Sequence, residues 1–134
     1  MCLYRRKCYV KSDSTGDLRV SSGTLSFNKG AGWSGARSVL IDGTGVIATD
    51  ATSSSVLFGR KAGVSRATLR IDGDGVLTIP LEGQVTVNML KIGSGENGFL
   101  PAGVYGGVDA GLDAAHTLAC LSGSGTLRVR SSGP

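Results

Sequence analysis

Apolar and polar residues alternate along most of this chain in short runs separated by Gly, Ser and Asp. Leu18 and Val20, then Leu25 and Phe27, alternate with Arg19 and Ser26, the period of two that predicts half-buried β-strands. Runs of the same character follow at 38–41, 46–49, 56–58, 67–71 and 77–79. A longer alternating run containing Val85, Val87, Leu90 and Ile92 closes at Gly93, and the last strands are expected at 117–121 and 126–129.

One pattern recurs. Ile41-Asp42-Gly43-Thr44-Gly45-Val46-Ile47 returns as Ile71-Asp72-Gly73-Asp74-Gly75-Val76-Leu77 and again as Leu121-Ser122-Gly123-Ser124-Gly125-Thr126-Leu127, with a looser copy at Val20 to Phe27. An Asp-Gly between alternating apolar runs is a hairpin signal when both central residues take positive φ. The same glycines also suit a corner where the chain bends without reversing. Recurrence favours the corner, because a stacked coil repeats its corners whereas a sandwich has no reason to. The interval from Ile41 to Ile71 holds three β-runs, the content of one turn of a three-sided β-solenoid. The copy at Leu121 arrives late, and the excess at about 94–115 reads as a loop excursion whose Phe99, Leu100 and Tyr105 fold back over an open edge.

The expected fold is therefore all-β: a right-handed parallel β-helix of a few rungs, with a β-sandwich of Gly-linked hairpins as the alternative. Residues 17–134 form the single solenoid domain and residues 1–16 a basic arm, disordered or capping. The 134-residue length suits one domain, and 22 Gly with 5% aromatics fits strands and turns around a Val, Leu and Ile core. Of the 14 Lys and Arg, Arg5, Arg6, Lys7 and Lys11 lie among the first 11 residues with no acid beside them, and the rest equal the 10 acids in number, so the basic balance belongs to the arm. This gives no indication of nucleic-acid binding. The start of the chain has basic residues without a following apolar stretch, so it is not expected to act as an export signal as it stands, and no run has the length of a membrane span.

Gly-Val-Leu-Thr-Ile at 75–79, Val-Thr-Val-Asn-Met-Leu-Lys-Ile at 85–92, Leu-Pro-Ala-Gly-Val-Tyr at 100–105 and Leu-Ser-Gly-Ser-Gly-Thr-Leu-Arg-Val at 121–129 resemble the ends of proteins carrying autotransporter-associated β-strand repeats. Such proteins are large bacterial surface or secreted chains whose repeats form parallel β-helices. The resemblance implies an extracellular or cell-surface setting and the C-terminal end of a β-helical stalk. It supplies no catalytic residues.

Candidate chemistry is sparse. Asp42 lies beneath Asp72 if the two repeats stack, and with Asp74 these carboxylates are the candidate metal ligands, although calcium needs more oxygens than they supply. Ser122 replaces Asp in the third copy, which favours turn-capping. Trp33 and Tyr105 are the candidate ligand-stacking residues of a carbohydrate-binding module; packing at a corner or cap is the other reading. His116, the only histidine, reads as a surface residue, and Cys120 as a small core hydrophobe. A Cys2–Cys8 bridge is open. No cofactor and no catalytic constellation is expected. The reading is a non-catalytic structural segment or end cap with an adhesion or matrix role, and the partners expected are further copies of itself or a glycan or surface partner.

Overall fold

A computed structural model describes residues 3–4, 15–30, 32–33, 35–59, 65–93 and 98–132. The strands are β1 (Leu3–Tyr4), β2 (Thr15–Val20), β3 (Thr24–Phe27), β4 (Gly35–Ile41), β5 (Val46–Thr49), β6 (Thr68–Ile71), β7 (Val76–Thr78), β8 (Gln84–Val87), β9 (Met89–Ile92), β10 (Gly103–Gly106), β11 (Leu121–Ser122) and β12 (Thr126–Val129). A one-turn helix, α1 (Ala51–Ser54), follows β5. Cys2, Cys8 and the arm's basic residues lie outside the described residues, while Leu3–Tyr4 pairs with β2.

The fold is all-β. Among the described residues there are three sheets, of orders β1-β2-β4-β6-β9, β3-β5-β7-β11 and β8-β12-β10, and every strand pair is parallel except β10 with β12. From β2 onward, strands consecutive in sequence lie in different sheets, so each partner comes from an earlier or later pass of the chain. Ile41 pairs with Ile71 in parallel register. The hairpin alternative fails because the strands flanking Asp72-Gly73, β6 and β7, belong to separate sheets.

Period-two sequences place one face of most strands inside. In the first sheet, Leu18, Val39, Leu69 and Leu90 form one ladder, and Val20, Ile41, Ile71 and Ile92 a second. In the second sheet, Leu25, Ile47, Leu77 and Leu121 stack, and in the third Val85 meets Leu127 and Val87 meets Val129. All but the half-buried Ile92 are buried. Each fully buried aliphatic contributes about 1.5–3 kcal/mol relative to exposure, which offsets chain entropy without large aromatics. The outward positions are more mixed: Arg19, Arg70 and Lys91 share one register in the first sheet with the half-buried Leu40.

The repeated corners stack. Asp72 N–H donates to Ile41 O at 2.9 Å and Asp74 N–H to Gly43 O at 2.9 Å, as Asp42 N–H does to Val20 O and Thr44 N–H to Ser21 O, both at 3.0 Å. Within each corner Gly45 N–H donates to Asp42 O and Gly75 N–H to Asp72 O. Gly43 has φ +55° and Gly73 φ +59°, a region where a side chain is strained. Thr44 and Asp74 have no such φ, so the type I′ hairpin geometry is absent and the chain bends onward.

Four expectations need correction. The copy at Leu121 does not stack on Ile71: Leu121 pairs with Leu77 and Ser122 with Thr78, one corner further round, where Gly125 N–H donates to Ile79 O and Thr126 N–H to Gly83 O. The motif therefore encodes a kind of bend and not a fixed place in the sheets. Residues 56–58 are a turn, not a strand; buried Leu57 and Phe58 fill the interior while Leu57 O accepts from Trp33 N–H at 2.7 Å. The run over 85–92 is two strands broken at Asn88, whose N–H donates to Ala67 O as the chain passes from the third sheet to the first. The expected strand at 117–121 is a lone bridge at Thr117, then a turn, then β11.

The connection at 50–55 is also more structured than its polarity suggests. Asp50 caps α1, with Oδ1 accepting from Ser53 N–H at 2.7 Å and Oδ2 from Lys29 N–H at 2.9 Å. The Lys29 and Ser53 amides hold this carboxyl below the usual carboxylate range. Lys29 has φ 59°, so the Asp50 bond ties down a strained residue of the preceding pass. Ser54 Oγ accepts from Gln84 N–H at 3.1 Å, which sets α1 beside β8, in the place a strand of the third sheet would take.

Candidate functional site

Residues 98–120, within and beyond the stretch read as an excursion, hold β10 and two 3-10 turns and run along two sheet edges. Leu100 N–H donates to Leu90 O and Ile92 N–H to Gly98 O, each at 2.9 Å, while Phe99 bridges Lys91 in antiparallel sense. This occupies the free edge of β9. β10 then lies antiparallel on β12, Gly103 opposite Val129 and Gly106 opposite Thr126, and fills the free edge of the third sheet. Gly107 packs against the backbone of Leu121, at a distance no side chain would allow. The unpaired backbone groups at these edges are thus met within the chain itself.

Tyr105 anchors the excursion. It faces Leu127 across the β10–β12 pair, is only 3% exposed, and donates its hydroxyl to Pro101 O at 2.6 Å. Burial pushes its phenol above the ordinary value. Trp33, 5% exposed, belongs to the core cluster, and its Nε1 has no hydrogen-bond partner among the described residues. Neither ring has an open face. The stacking role expected of them in a carbohydrate-binding module is therefore corrected to packing.

The carboxylates are likewise engaged separately. Asp42 accepts from Ser21 Oγ at 2.6 Å and Arg19 Nη2 at 2.8 Å; the Ser21 bond outweighs partial burial and, with Arg19, holds the carboxyl below its ordinary range. Asp72 accepts from Arg70 Nη2 at 3.2 Å and from Gly73 N–H at 2.8 Å. Among the described residues no group of three or more His, Cys, Asp or Glu is placed to hold a metal ion, so Asp42, Asp72 and Asp74 do not form the expected ligand set. The exposed Arg19–Asp42 pair contributes at most about 1 kcal/mol.

Sequence reasoning missed one pair. Asp113 caps the 3-10 turn Ala114–His116, accepting from His116 N–H at 3.1 Å and contacting His116 Nδ1 at 2.6 Å. Its Asp-x-x-His spacing is a legible capping signal. The His116 contact holds Asp113 below the carboxylate range. The imidazole lies 5.2 Å from the Tyr105 ring, and with Val104, Leu112 and Asp113 it lines an open groove of about 250 Å³. Thr117 Oγ1 donates to Asp113 O at 2.8 Å, so the nearby hydroxyl is spent on the backbone. The arrangement orders the excursion. Cys120 is half-buried against the core, and burial pushes its thiol up.

No helix of the described residues is long and apolar enough to cross a membrane. No family model matches the chain, and comparison with curated proteins and with solved structures finds no match.

Proposed function

We propose that this chain is a short, right-handed, three-sided parallel β-solenoid that serves as the non-catalytic end cap of an extracellular or cell-surface β-helical protein with an adhesion or matrix role. The observation that carries the reading is the antiparallel β10 laid on β12 at the end of otherwise parallel stacks. A parallel coil can continue indefinitely by adding strands to its edges, and a reversed strand ends that addition. The resemblance of residues 75–129 to autotransporter-associated repeats supports the setting. The right hand follows from the chirality of parallel crossovers.

The cap is tested by replacing residues 101–107 with a Gly-Ser segment of equal length and following sedimentation against concentration. The intact chain is expected to stop at monomer or dimer, because one end is closed. The replaced chain, with its β circular-dichroism signal retained, is expected to grow into larger end-to-end species. A folded variant that keeps the size of the intact chain at every concentration contradicts the reading.

A further inference from the structure

Three Asp-Gly pairs stand in the stacked corners: Asp42-Gly43, Asp72-Gly73 and Asp74-Gly75. We propose that in the folded protein Asp72-Gly73 is a site of spontaneous backbone modification, isomerising through a cyclic imide, and that the other two pairs are protected. The reaction joins the backbone nitrogen of the residue after Asp to the side-chain carboxyl carbon. A C–N bond forms, the C–OH bond of the neutral carboxyl breaks, and the amide proton and hydroxyl leave as water. Water then reopens the five-membered ring. Cleavage of the new bond restores aspartate, and cleavage of the original peptide bond leaves isoaspartate, with the backbone running through the side-chain carbon. Glycine assists because it has no Cβ to crowd the attacking nitrogen.

The three pairs differ in what their atoms are doing. The Asp72 carboxyl is folded back onto the nitrogen that must attack it, Oδ1 being 2.8 Å from Gly73 N. Its other hydrogen bond is the 3.2 Å contact from Arg70, whose Nε is also committed to Gly93 O. Side chain and glycine are both open to water, Asp72 at 33%. Asp42 has the same neighbour in sequence, but its two oxygens are taken up by Ser21 at 2.6 Å and Arg19 at 2.8 Å. At Asp74 the constraint lies on the nitrogen: Gly75 is buried, and its N–H donates to Asp72 O at 3.1 Å. Isomerisation at Asp72 would lengthen the backbone between two bonds that fix this corner to the one beneath, Asp72 N–H to Ile41 O and Asp74 N–H to Gly43 O. Both cannot survive, so the modified corner loses register with its neighbour.

The test is prolonged incubation of the intact folded chain near neutral pH, followed by peptide mapping in which electron-transfer fragmentation locates isoaspartate. The denatured chain, in which the three pairs are equivalent, is the reference. The expected result is isoaspartate at Asp72 severalfold above that at Asp42 or Asp74 in the folded chain, and comparable amounts at all three in the denatured one. Ser21→Ala, which leaves Asp42 Oδ1 only the 3.5 Å contact from Arg19 Nε, should raise the Asp42 product in the folded chain without raising the one at Asp74. Equal accumulation at the three positions in the folded chain, a dominant product at Asp42 or Asp74, or none at Asp72 while the denatured chain reacts, overturns the proposal.

Discussion

Gly75→Ala is expected to destabilise the protein by about 2–4 kcal/mol, the range of severe overpacking against atoms that cannot move aside. A Cβ at this position would lie 2.6 Å from Ile41 O, 2.8 Å from Ile41 C and 2.9 Å from Ile41 Cγ2. Two of those atoms are backbone of the pass beneath, whose carbonyl accepts from Asp72 N–H. Making room for the methyl would separate the corners and lengthen that bond and its neighbours. The cause is proximity and not backbone conformation, because Gly75 has no positive φ. Gly93 is the converse case, with φ +80° and nothing within 4 Å of a built Cβ. Gly93→Ala should therefore cost only the dihedral penalty, about 1 kcal/mol. Urea unfolding of both variants checks the order, and a Gly75→Ala variant no less stable than Gly93→Ala would show that the corners do not bear on one another.

Leu77→Ala should cost about 2–5 kcal/mol, the transfer free energy of the lost methyl groups plus the cavity left behind. Leu77 is fully buried between Ile47 and Leu121, in the ladder that runs from β5 to β11. Its ladder neighbours are held by hydrogen-bonded strands on both sides, so the void cannot close by a shift of one side chain. Ser26→Ala, on the outer face of the same sheet, is the matching control and should lie within about 0.5 kcal/mol of the parent. Thermal and urea unfolding would both report the difference. A loss under about 1 kcal/mol at Leu77 would mean that the interior is not packed at normal protein density.

Most of the inner ladders were legible because period-two patterning states which side chains face inward without reference to the rest of the fold. The spacing of Ile41 and Ile71 likewise anticipated their pairing. What patterning cannot state is which sheet a strand joins. The Leu121 copy bends like the others, but the short pass from β8 directly into β9 moves the later chain one corner round, and only the pairing with Leu77 reveals it. The break at Asn88 did leave a trace: Val85 and Val87 share one phase while Leu90 and Ile92 share the opposite one.

The candidate site was less legible. That Asp42 would stand in register with Asp72 followed from the repeat. That Ser21 and Arg19 would take up its oxygens did not, since they come from the preceding pass and are joined to it only by folding. Trp33 and Tyr105 look alike in sequence to exposed rings in Gly-rich turns. Their burial depends on the turn at 56–58 for one and on the return of β12 for the other, contacts distant along the chain.

The parallel stacking of passes is tested most directly by cross-strand cysteine pairs, in a background where Cys2, Cys8 and Cys120 are replaced by serine. Ala48 and Thr78 are register partners on the outer face of the second sheet, and Val76 is offset from Ala48 by two residues along the neighbouring strand. Adjacent strands lie about 4.8 Å apart, within the Cα separation of about 4.4–6.8 Å that a disulfide spans, whereas the diagonal distance exceeds it. Ala48→Cys with Thr78→Cys is predicted to oxidise readily to an intramolecular bridge, and Ala48→Cys with Val76→Cys to remain reduced under the same conditions. Preferential bridging of the offset pair, or of neither, would contradict the register on which the stacked corners depend.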